Sequence, residues 1–241
     1  MSETLFISDL HLDADRPQIT EGFHALLAGR ARQARALYIL GDLFEYWIGD
    51  DDPQDRHAPT LEAIAALVEH GVPVFFLPGN RDFLLGERAL ARSRMQLLPD
   101  EVVVDVEGTP TLLMHGDLLC TDDVDYQAMR RQFRDPAWQR AFLALPWPER
   151  EAQVRALRAR SREATYDKPQ DITDVNPQAV VAALRKHGVT DLVHGHTHRP
   201  AIHELEVDGQ PARRMVLGDW YREGSLLICS GPERVLERLP L

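Results

Sequence analysis

The sequence predicts an α/β fold, and three patterns in the chain carry that prediction. Short apolar runs recur along it, and a polar turn follows each run, as expected of buried strands. Segments with helical periodicity separate the first of these runs, which indicates alternation of strand and helix. A hairpin signal near the C-terminus adds antiparallel strands. The expected molecule is an α/β core whose C-terminal part is rich in antiparallel strands.

The individual elements follow from these patterns in chain order. Strands are predicted over residues 5–7, 36–40, 72–77, 112–114 and 192–193. Helices are predicted over residues 17–32 and 59–70. Each begins at a proline, which is favoured in a first helical turn. Asp208 and Gly209 form a dipeptide typical of tight hairpins, and the strands predicted around and after it are 201–207, 213–217 and 225–229.

A different pattern occupies residues 123–168, where apolar side chains recur at helical spacing between prolines. The recurring residues are Tyr126, Met129, Phe133, Trp138, Phe142 and Leu145. From Tyr126 to Lys168 the chain has ten Lys and Arg against five Asp and Glu, although the formal net charge of the protein is -11. We predict one domain over residues 1–241 with a basic helical insertion at 123–168.

Composition excludes several classes of protein. Hydrophobic residues make up 44% and charged residues 27% of the 241 residues, which is ordinary for a soluble globular protein. No apolar run reaches the roughly 20 residues that span a bilayer, and the N-terminus lacks the features of a signal peptide. The acidic net charge argues against generic nucleic-acid binding. Cys120 and Cys229 lack metal-type spacing, so a reducing, cytoplasmic compartment is expected.

Five of the predicted loops carry side chains suited to metal binding, each soon after an apolar run. Sites in α/β sheets form beyond the carboxyl ends of strands, so these side chains are expected to converge on one crevice. Glycine next to several of them allows sharp turns and close approach of the backbone. The candidate metal ligands are Asp9, His11, Asp42, Asn80, His115, His196 and His198.

The chemistry of this set favours two metal ions. Carboxylate and amide oxygens with imidazole nitrogens, and without thiolates, suit Mn²⁺, Fe, Zn²⁺ or Mg²⁺. Seven ligands exceed what one ion needs, and a carboxylate is the natural bridge between two ions, a role for which Asp42 is the candidate. An isolated Asp or His at a strand end more often forms a turn or is a polar residue whose hydrogen bonds are satisfied. We expect such a structural role for the histidines outside these loops. The joint occurrence of five such loops indicates function.

The motifs D-x-H, G-D, G-N, H-G-D and G-H-T-H, in that order, resemble those of the calcineurin-like metallophosphoesterase superfamily. The resemblance implies a four-layer αββα sandwich. It also implies one metal on Asp9, His11, Asp42 and His198 and another on Asp42, Asn80, His115 and His196. Hydroxide between the ions would then attack phosphorus in line, since bound metals lower the pKa of water from about 15.7 toward roughly 7.

Arg81 distinguishes this chain within that superfamily. Many members have a histidine after the Gly-Asn pair, placed as a general acid, whereas here Gly79 and Asn80 precede Arg81. Arginine stays protonated and cannot act as that acid. An alkoxide leaving group, with an alcohol pKa near about 15.7, would need a proton donor, but a phosphate with a second pKa of about 6 would not. We therefore expect the substrate to be a pyrophosphate, with its oxygens bound by the planar guanidinium of Arg81.

Longer stretches resemble the UDP-2,3-diacylglucosamine pyrophosphohydrolase family of lipid A biosynthesis. They are residues 7–12, 38–45, 47–51, 79–83, 114–117, 119–121, 174–175 and 194–200. The resemblance implies cleavage of UDP-2,3-diacylglucosamine at the α-phosphorus, giving UMP and 2,3-diacylglucosamine 1-phosphate (lipid X), with two Mn²⁺ as cofactors. It implies catalytic roles for Asp42, Asn80 and His115. The substrate-binding positions carried over are Asn80, Arg81, Asp123, Ser161, Thr165, Lys168 and His196.

The same resemblance implies that the insertion is a lid, with basic residues for phosphates and apolar residues for two acyl chains. Trp138, Phe142 and Trp147 are then expected at lipid headgroups, with the protein peripheral on the cytoplasmic face of the inner membrane. Neither nucleic acid nor an obligate protein partner is expected. The open alternatives are another phosphodiesterase or nucleotide pyrophosphatase, a non-catalytic scaffold on the same fold and, for the insertion, an amphipathic helix pair with solvated arginines.

Overall fold

The computed structural model describes residues 3–166 and 174–241, and its description of residues 160–166 is limited to the backbone. The helices are α1 Pro17–Ala28, α2 Ala58–Glu69, α3 Glu87–Ser93, α4 Val124–Phe133, α5 Pro136–Leu143, α6 Trp147–Tyr166 and α7 Pro177–His187. The strands are β1 Thr4–Ile7, β2 Ala36–Ile39, β3 Val74–Phe76, β4 Gln96–Leu97, β5 Glu101–Val106, β6 Thr109–Met114, β7 Asp191–His194, β8 Ala201–Val207, β9 Gln210–Val216, β10 Gly224–Ser230 and β11 Glu233–Leu239.

The strands form two mixed sheets. The first has the order β11-β10-β1-β2-β3-β4, in which β1 to β4 run parallel and β10 is antiparallel to β1. The second has the order β5-β6-β7-β9-β8, in which β6, β7 and β9 run parallel. The hairpin of β8 and β9 turns at Asp208 and Gly209, which have φ of 53° and 77°. The predicted α/β fold and its C-terminal hairpin are confirmed.

Alternation of side chains along the central strands builds four layers. Leu5 and Ile7 of β1 are buried with residues of helices α1 to α3. Phe6, between them, is buried with Leu113 and Val193 of the second sheet. The other face of the second sheet packs on α7. Successive side chains of a strand point to opposite faces, so one strand serves both layers, and the resulting order is the predicted αββα sandwich.

Several boundaries differ from the sequence prediction. Helix α1 ends at Ala28 rather than at residue 32, because Gly29 disfavours the helix and a 3-10 turn follows over Arg30–Gln33. The strand predicted over 72–77 covers only Val74–Phe76. The apolar patterns do not predict β4, β5, β11, α3 or α7. Strands β5 and β11 are partly exposed, and their short apolar runs, residues 102–104 and 235–236, lie between charged residues.

The stretch 123–168 is helical where it is described, through α4, α5 and α6, here called the insertion helices. Asp123 and Asp135 cap the first two of them by accepting backbone hydrogen bonds. Phe142 is only 4% exposed and stacks on Trp138 with 5.0 Å between ring centroids, both against the main core. The expectation that Phe142 meets lipid headgroups is therefore wrong, because its ring fills space between the insertion and the core.

Within residues 3–166 and 174–241, every helix is too short or too polar to cross a membrane.

Candidate metal centre

The five predicted loops do converge, and the strand directions explain why. The loops that carry Asp9, His11, Asp42 and Asn80 follow the parallel strands β1, β2 and β3. Those that carry His115, His196 and His198 follow the parallel strands β6 and β7 of the other sheet. Parallel strands present their carboxyl ends at one edge, so both sheets deliver side chains to the same crevice.

The first group of side chains consists of Asp9, His11, Asp42 and His198. His11 Nε2 lies 3.3 Å from His198 Nε2 and 3.9 Å from Asp42 Oδ2. Asp9 Oδ1 lies 3.4 Å from His198 Nε2 and 4.0 Å from His11 Nε2. Two imidazole nitrogens and two carboxylates thus point at one small volume. Asp9, His11 and His198 are close enough to hold one metal ion.

The second group consists of Asp42, Asn80, His115 and His196. Asn80 Oδ1 lies 2.9 Å from His115 Nε2 and 2.9 Å from His196 Nδ1. Asp42 Oδ1 lies 3.7 Å from His115 Nε2, whereas its Oδ2 faces His11. Asp42, His115 and Asp9 can also hold an ion between them. Asp42 is the residue whose two oxygens face the two groups, which is the arrangement a bridging carboxylate requires.

The backbone at the site occupies an uncommon conformation. Among the candidate ligands, φ is positive at Asp9 (56°), His11 (50°), Asp42 (52°), His196 (68°) and His198 (56°). Left-handed backbone in residues other than glycine costs about 1–3 kcal/mol and clusters at functional sites. Hydrogen bonds hold it here, since His11 N donates to the Asp42 carbonyl at 2.9 Å and His196 N donates to Asp9 Oδ2 at 2.8 Å.

At two positions of the site the backbone lies so close to a carboxylate that only glycine fits. A Cβ added to Gly79 would overlap the Asp42 carboxylate, and one added to Gly195 would overlap Ser8 and Asp9. Any side chain at these positions would displace a candidate ligand. Gly79 and Gly195 therefore act by leaving room for the carboxylates, which is the close approach predicted from the sequence.

Three of the histidines have an oxygen near the ring nitrogen that faces away from the centre, although only that of His115 is at hydrogen-bond distance. His11 Nδ1 lies 3.4 Å from Glu45 Oε2, and His198 Nδ1 lies 3.4 Å from Asp219 Oδ2. His115 Nδ1 lies 2.8 Å from the Leu40 carbonyl. Histidines that bind metals usually donate their other N–H to a carboxylate or carbonyl, which fixes the ring and its tautomer. In each of these rings Nε2 is the nitrogen that faces the centre.

The electrostatics of the centre favour a cation. Asp9 and Asp42 are buried, and Asp9 Oδ1 has no hydrogen bond within the described residues. Burial raises the pKa of Asp42 to about 7. Burial alone would lower the pKa of His115, but Asp42, Asp9 and Asp117 outweigh it and raise that pKa to about 9. An orphaned carboxylate oxygen and a surplus of buried negative charge fit divalent cations bound by oxygen and imidazole.

A groove beside the centre runs between the insertion helices and the core. Its empty volume is about 920 Å³, part of which is open to solvent. Asn80, Arg81 and Tyr126 line the part next to the centre, where the Tyr126 ring lies 5.7 Å from that of His196. The remaining lining is largely apolar and includes Met129, Phe133, Trp138, Phe142 and Leu157.

The arginines of the insertion helices fall into two sets, one paired with the core and one exposed. Arg130 donates to Asp117 at 2.6 Å and to Asp100 at 2.8 Å, and Arg134 donates to Asp100 at 3.1 Å. Arg150 is 2% exposed and donates to the Ile48 carbonyl at 2.7 Å. These arginines attach the insertion helices to the acidic core. Others are exposed, namely Arg131, Arg140 and Arg155.

The predicted substrate-binding residues do not all lie at the metal centre. Asn80 and His196 lie within the centre. Arg81 lines the groove, and its buried Nε has no hydrogen bond within the described residues. Asp123 is the N-cap of α4, and its Oδ1 accepts a hydrogen bond from Tyr126 N at 3.1 Å. Ser161 and Thr165 lie on the α6 backbone with side chains outside the description, and Lys168 lies outside the described residues.

Sequence reasoning missed Glu45, Asp82 and Asp219 as parts of this centre. Asp82 accepts backbone hydrogen bonds from Gly79 at 2.8 Å and Leu43 at 2.7 Å, which joins two of the loops. A signal for Asp219 was present, because Gly218-Asp219 follows an apolar run in the same way as Gly41-Asp42 does. Glu45 and Asp82 carry no such signal, since their importance depends on partners distant in sequence.

Two mixed sheets between helices, with a carboxylate that faces two groups of candidate metal ligands, are typical of a metal-dependent phosphoesterase. The model of the calcineurin-like phosphoesterase family matches residues 3–200, and the chain belongs to that family. It is 56% identical over 224 residues to UDP-2,3-diacylglucosamine hydrolase of Salmonella arizonae, covering 93% of each chain. It is 55% identical, with the same coverage, to UDP-2,3-diacylglucosamine hydrolase of Klebsiella pneumoniae. The family predicted from the motifs is confirmed.

Solved structures show the same fold at low identity. Vacuolar protein sorting 29 from Cryptosporidium parvum aligns with a TM-score of 0.52 and 16% identity, over 100% of this chain and 91% of that one. A hypothetical protein from Pyrococcus horikoshii aligns with a TM-score of 0.50 and 12% identity, over 100% and 88%. The architecture is therefore shared by proteins whose sequences have diverged widely.

Proposed function

We propose that this protein hydrolyses the pyrophosphate bond of UDP-2,3-diacylglucosamine, giving UMP and 2,3-diacylglucosamine 1-phosphate in lipid A biosynthesis. The substrate is the one named for the relatives that are 55% and 56% identical. One observation in this chain carries the proposal: a candidate two-metal centre opens directly onto a largely apolar groove. An apolar groove that adjoins the reactive centre suits a substrate in which acyl chains are joined to a pyrophosphate.

We assign the metals as follows. The first group, Asp9, His11, Asp42 and His198, would hold one ion, and the second group, Asp42, Asn80, His115 and His196, would hold the other. We propose Mn²⁺ for both, which suits mixed oxygen and imidazole donors. Bound divalent cations supply Lewis acidity to phosphoryl oxygens and lower the pKa of water from about 15.7 toward roughly 7.

The residues of the chain orient the substrate for attack at the α-phosphorus. The oxygen of water forms the new bond to that phosphorus, and the bridging oxygen leaves with the sugar 1-phosphate. Arg81, whose Nε has no hydrogen bond within the described residues, would hold phosphate oxygens and balance their charge. No side chain need protonate the leaving phosphate, because its second pKa is about 6. We infer that Asp42, Asn80 and His115 are the catalytic residues nearest the reacting atoms.

The insertion helices would receive the lipid half of the substrate. The apolar lining of the groove suits two acyl chains, since each buried methylene contributes about 0.8 kcal/mol. Asp123, Ser161, Thr165 and Lys168 would then contact the sugar and its phosphates. On this proposal residues 1–241 form one catalytic domain, with the lid at 123–168 as part of it.

The direct test is identification of the products. With Mn²⁺ and UDP-2,3-diacylglucosamine, the purified protein is expected to release UMP and the diacylglucosamine 1-phosphate. In ¹⁸O-labelled water, mass spectrometry should find the label in UMP, because attack occurs at the α-phosphorus. Label in the sugar phosphate alone would contradict this site of attack, and absence of both products would contradict the proposed function.

We also propose that the protein acts on the cytoplasmic face of the inner membrane, bound peripherally. Arg131, Arg140 and Arg155 are exposed on the insertion helices, and each such charge near an anionic membrane contributes about 1 kcal/mol. The protein should float with vesicles that contain phosphatidylglycerol at low salt and dissociate at high salt. Replacing the three arginines by glutamine should reduce this binding. Equal flotation with neutral vesicles would contradict an electrostatic contact.

A further inference from the structure

Glu45 lies between a candidate metal ligand and an insertion helix. Its side chain is buried, at 7% exposed, and Oε2 lies 3.4 Å from His11 Nδ1, which is within ion-pair distance although Nδ1 has no hydrogen bond within the described residues. Arg16 Nη2 donates to the same oxygen at 2.9 Å and to the His11 carbonyl at 3.1 Å. Arg158 of α6 donates to the other oxygen, Oε1. A single carboxylate therefore contacts both the His11 imidazole and the helix that lines the groove.

The orientation of His11 explains what this carboxylate can do. His11 turns Nε2 toward Asp9, Asp42 and His198, so a metal bound there would use the lone pair of Nε2. The ring proton must then be on Nδ1, which faces Glu45. A carboxylate beside Nδ1 stabilises that tautomer, holds the ring and makes Nε2 a better donor to a metal. The backbone supports the contact, because Glu45 N donates to the Leu12 carbonyl at 3.1 Å.

Arg158 makes this arrangement depend on α6. Its guanidinium lies over the Tyr46 ring, 5.4 Å from the ring centroid, and lines the groove. The charge of Glu45 is balanced by two arginines, one from the loop before α1 and one from the insertion. If α6 moves away from the core, Glu45 loses one of these partners, and the support of His11 changes with it.

We propose that Glu45 is a positioning residue for the first group, and that Arg158 couples metal binding there to docking of α6 on the core. The metal position nearest His11 would thus be complete only when the insertion is in place. The inference rests on the proposed function in one respect, the assignment of His11 as a metal ligand. It makes the insertion part of the metal centre as well as part of the substrate site.

The test is to titrate the metal-free protein with Mn²⁺ alone. The free Mn²⁺ is measured by its electron paramagnetic resonance signal. Glu45→Gln is expected to weaken one of two Mn²⁺ positions by about 10–100-fold and to leave the other unchanged. The signal of the spin-coupled Mn²⁺ pair should appear only at correspondingly higher Mn²⁺. Wild-type affinity at both positions in Glu45→Gln would overturn the proposal.

Arg158 is tested by a double-mutant cycle. Arg158→Ala should weaken the same Mn²⁺ position, and adding it to Glu45→Gln should cause no further loss, because the two residues act through one contact. Independent, additive effects would overturn the coupling. Arg155→Ala is the matched control, since Arg155 lies on the same helix and its side chain is 80% exposed. Thermal unfolding of each metal-free variant shows whether a lower Mn²⁺ affinity results from a less stable fold.

These outcomes differ from those that bear on the proposed function. If the wild-type protein binds two Mn²⁺ but does not cleave UDP-2,3-diacylglucosamine, the proposed function fails while the role of Glu45 is still tested by Mn²⁺ affinity. If it cleaves this substrate and Glu45→Gln binds Mn²⁺ as wild type does, only the role of Glu45 fails.

Discussion

Asp42→Asn is expected to lower turnover by about 10³-fold or more while the protein stays folded. The two oxygens of Asp42 face the two groups, and asparagine keeps the shape but has only one oxygen and no charge. Loss of one group that stabilises developing charge typically costs about 10²–10³ in rate, and loss of a shared metal ligand adds to that. Steady-state rates and bound Mn²⁺ measured by elemental analysis check this, with fewer than two Mn²⁺ expected per chain.

The fold of the variant is expected to survive because the carboxylate does not stabilise the metal-free protein. Burial raises the pKa of Asp42 from 3.8 to about 7. A carboxyl whose pKa is higher in the folded state destabilises the fold progressively as the pH rises above the unfolded value of 3.8, and fully above about 7. Metal-free Asp42→Asn should therefore unfold at pH 8 at a temperature no lower than the metal-free wild type.

Asp208→Asn is the matched control for this substitution. Asp208 has almost the same backbone conformation, with φ of 53° against 52° at Asp42, but it lies exposed in the β8–β9 hairpin. Its variant should keep both the rate and the bound Mn²⁺. Retention of both metals and near wild-type turnover in Asp42→Asn would show that Asp42 does not bridge two ions.

Removal of the acyl chains from the substrate is expected to lower kcat/KM by about 100-fold or more. Burial of as few as four methylenes contributes about 3 kcal/mol at roughly 0.8 kcal/mol each. That energy corresponds to a rate factor of about 10². Release of UMP from UDP-2,3-diacylglucosamine and from its deacylated analogue, measured under the same conditions, checks the size of the effect.

The groove itself is tested by a charge placed in it. Met129 lines the groove, so Met129→Glu should reduce kcat/KM on the diacylated substrate while changing the rate on the deacylated analogue little. Val124→Glu is the matched control, because Val124 lies on the same helix and is 69% exposed. Equal rates on the two substrates in the wild type would contradict a lipid-binding groove.

Much of the fold and of the candidate centre is readable from the sequence, for a local reason. Each candidate ligand stands soon after an apolar run, and the end of a strand is a feature of a few consecutive residues. The loops of Asp9, Asp42 and His115 could therefore be predicted without knowing which strands pair. Strands β5 and β11 were not predicted, because charged residues flank their short apolar runs and these strands stay partly exposed at the sheet edges.

The partners of the centre could not be predicted in the same way. Glu45 matters through Arg158, which lies 113 positions away in the chain, and through His11. Burial decided the case of Phe142, since an aromatic residue in a basic helical segment reads equally well as a membrane contact or as core. Only packing distinguishes the two.

The sequence by itself determined the α/β class through its periodicity, and its short motifs determined the candidate metal ligands and the resemblance to a family that implies the αββα architecture. Only the tertiary structure decided that Asp42 faces both groups, that Arg130, Arg134 and Arg150 attach the insertion helices, and that a groove adjoins the centre. Those facts depend on distances between segments far apart in the chain, which are set when the two sheets and the insertion helices pack together.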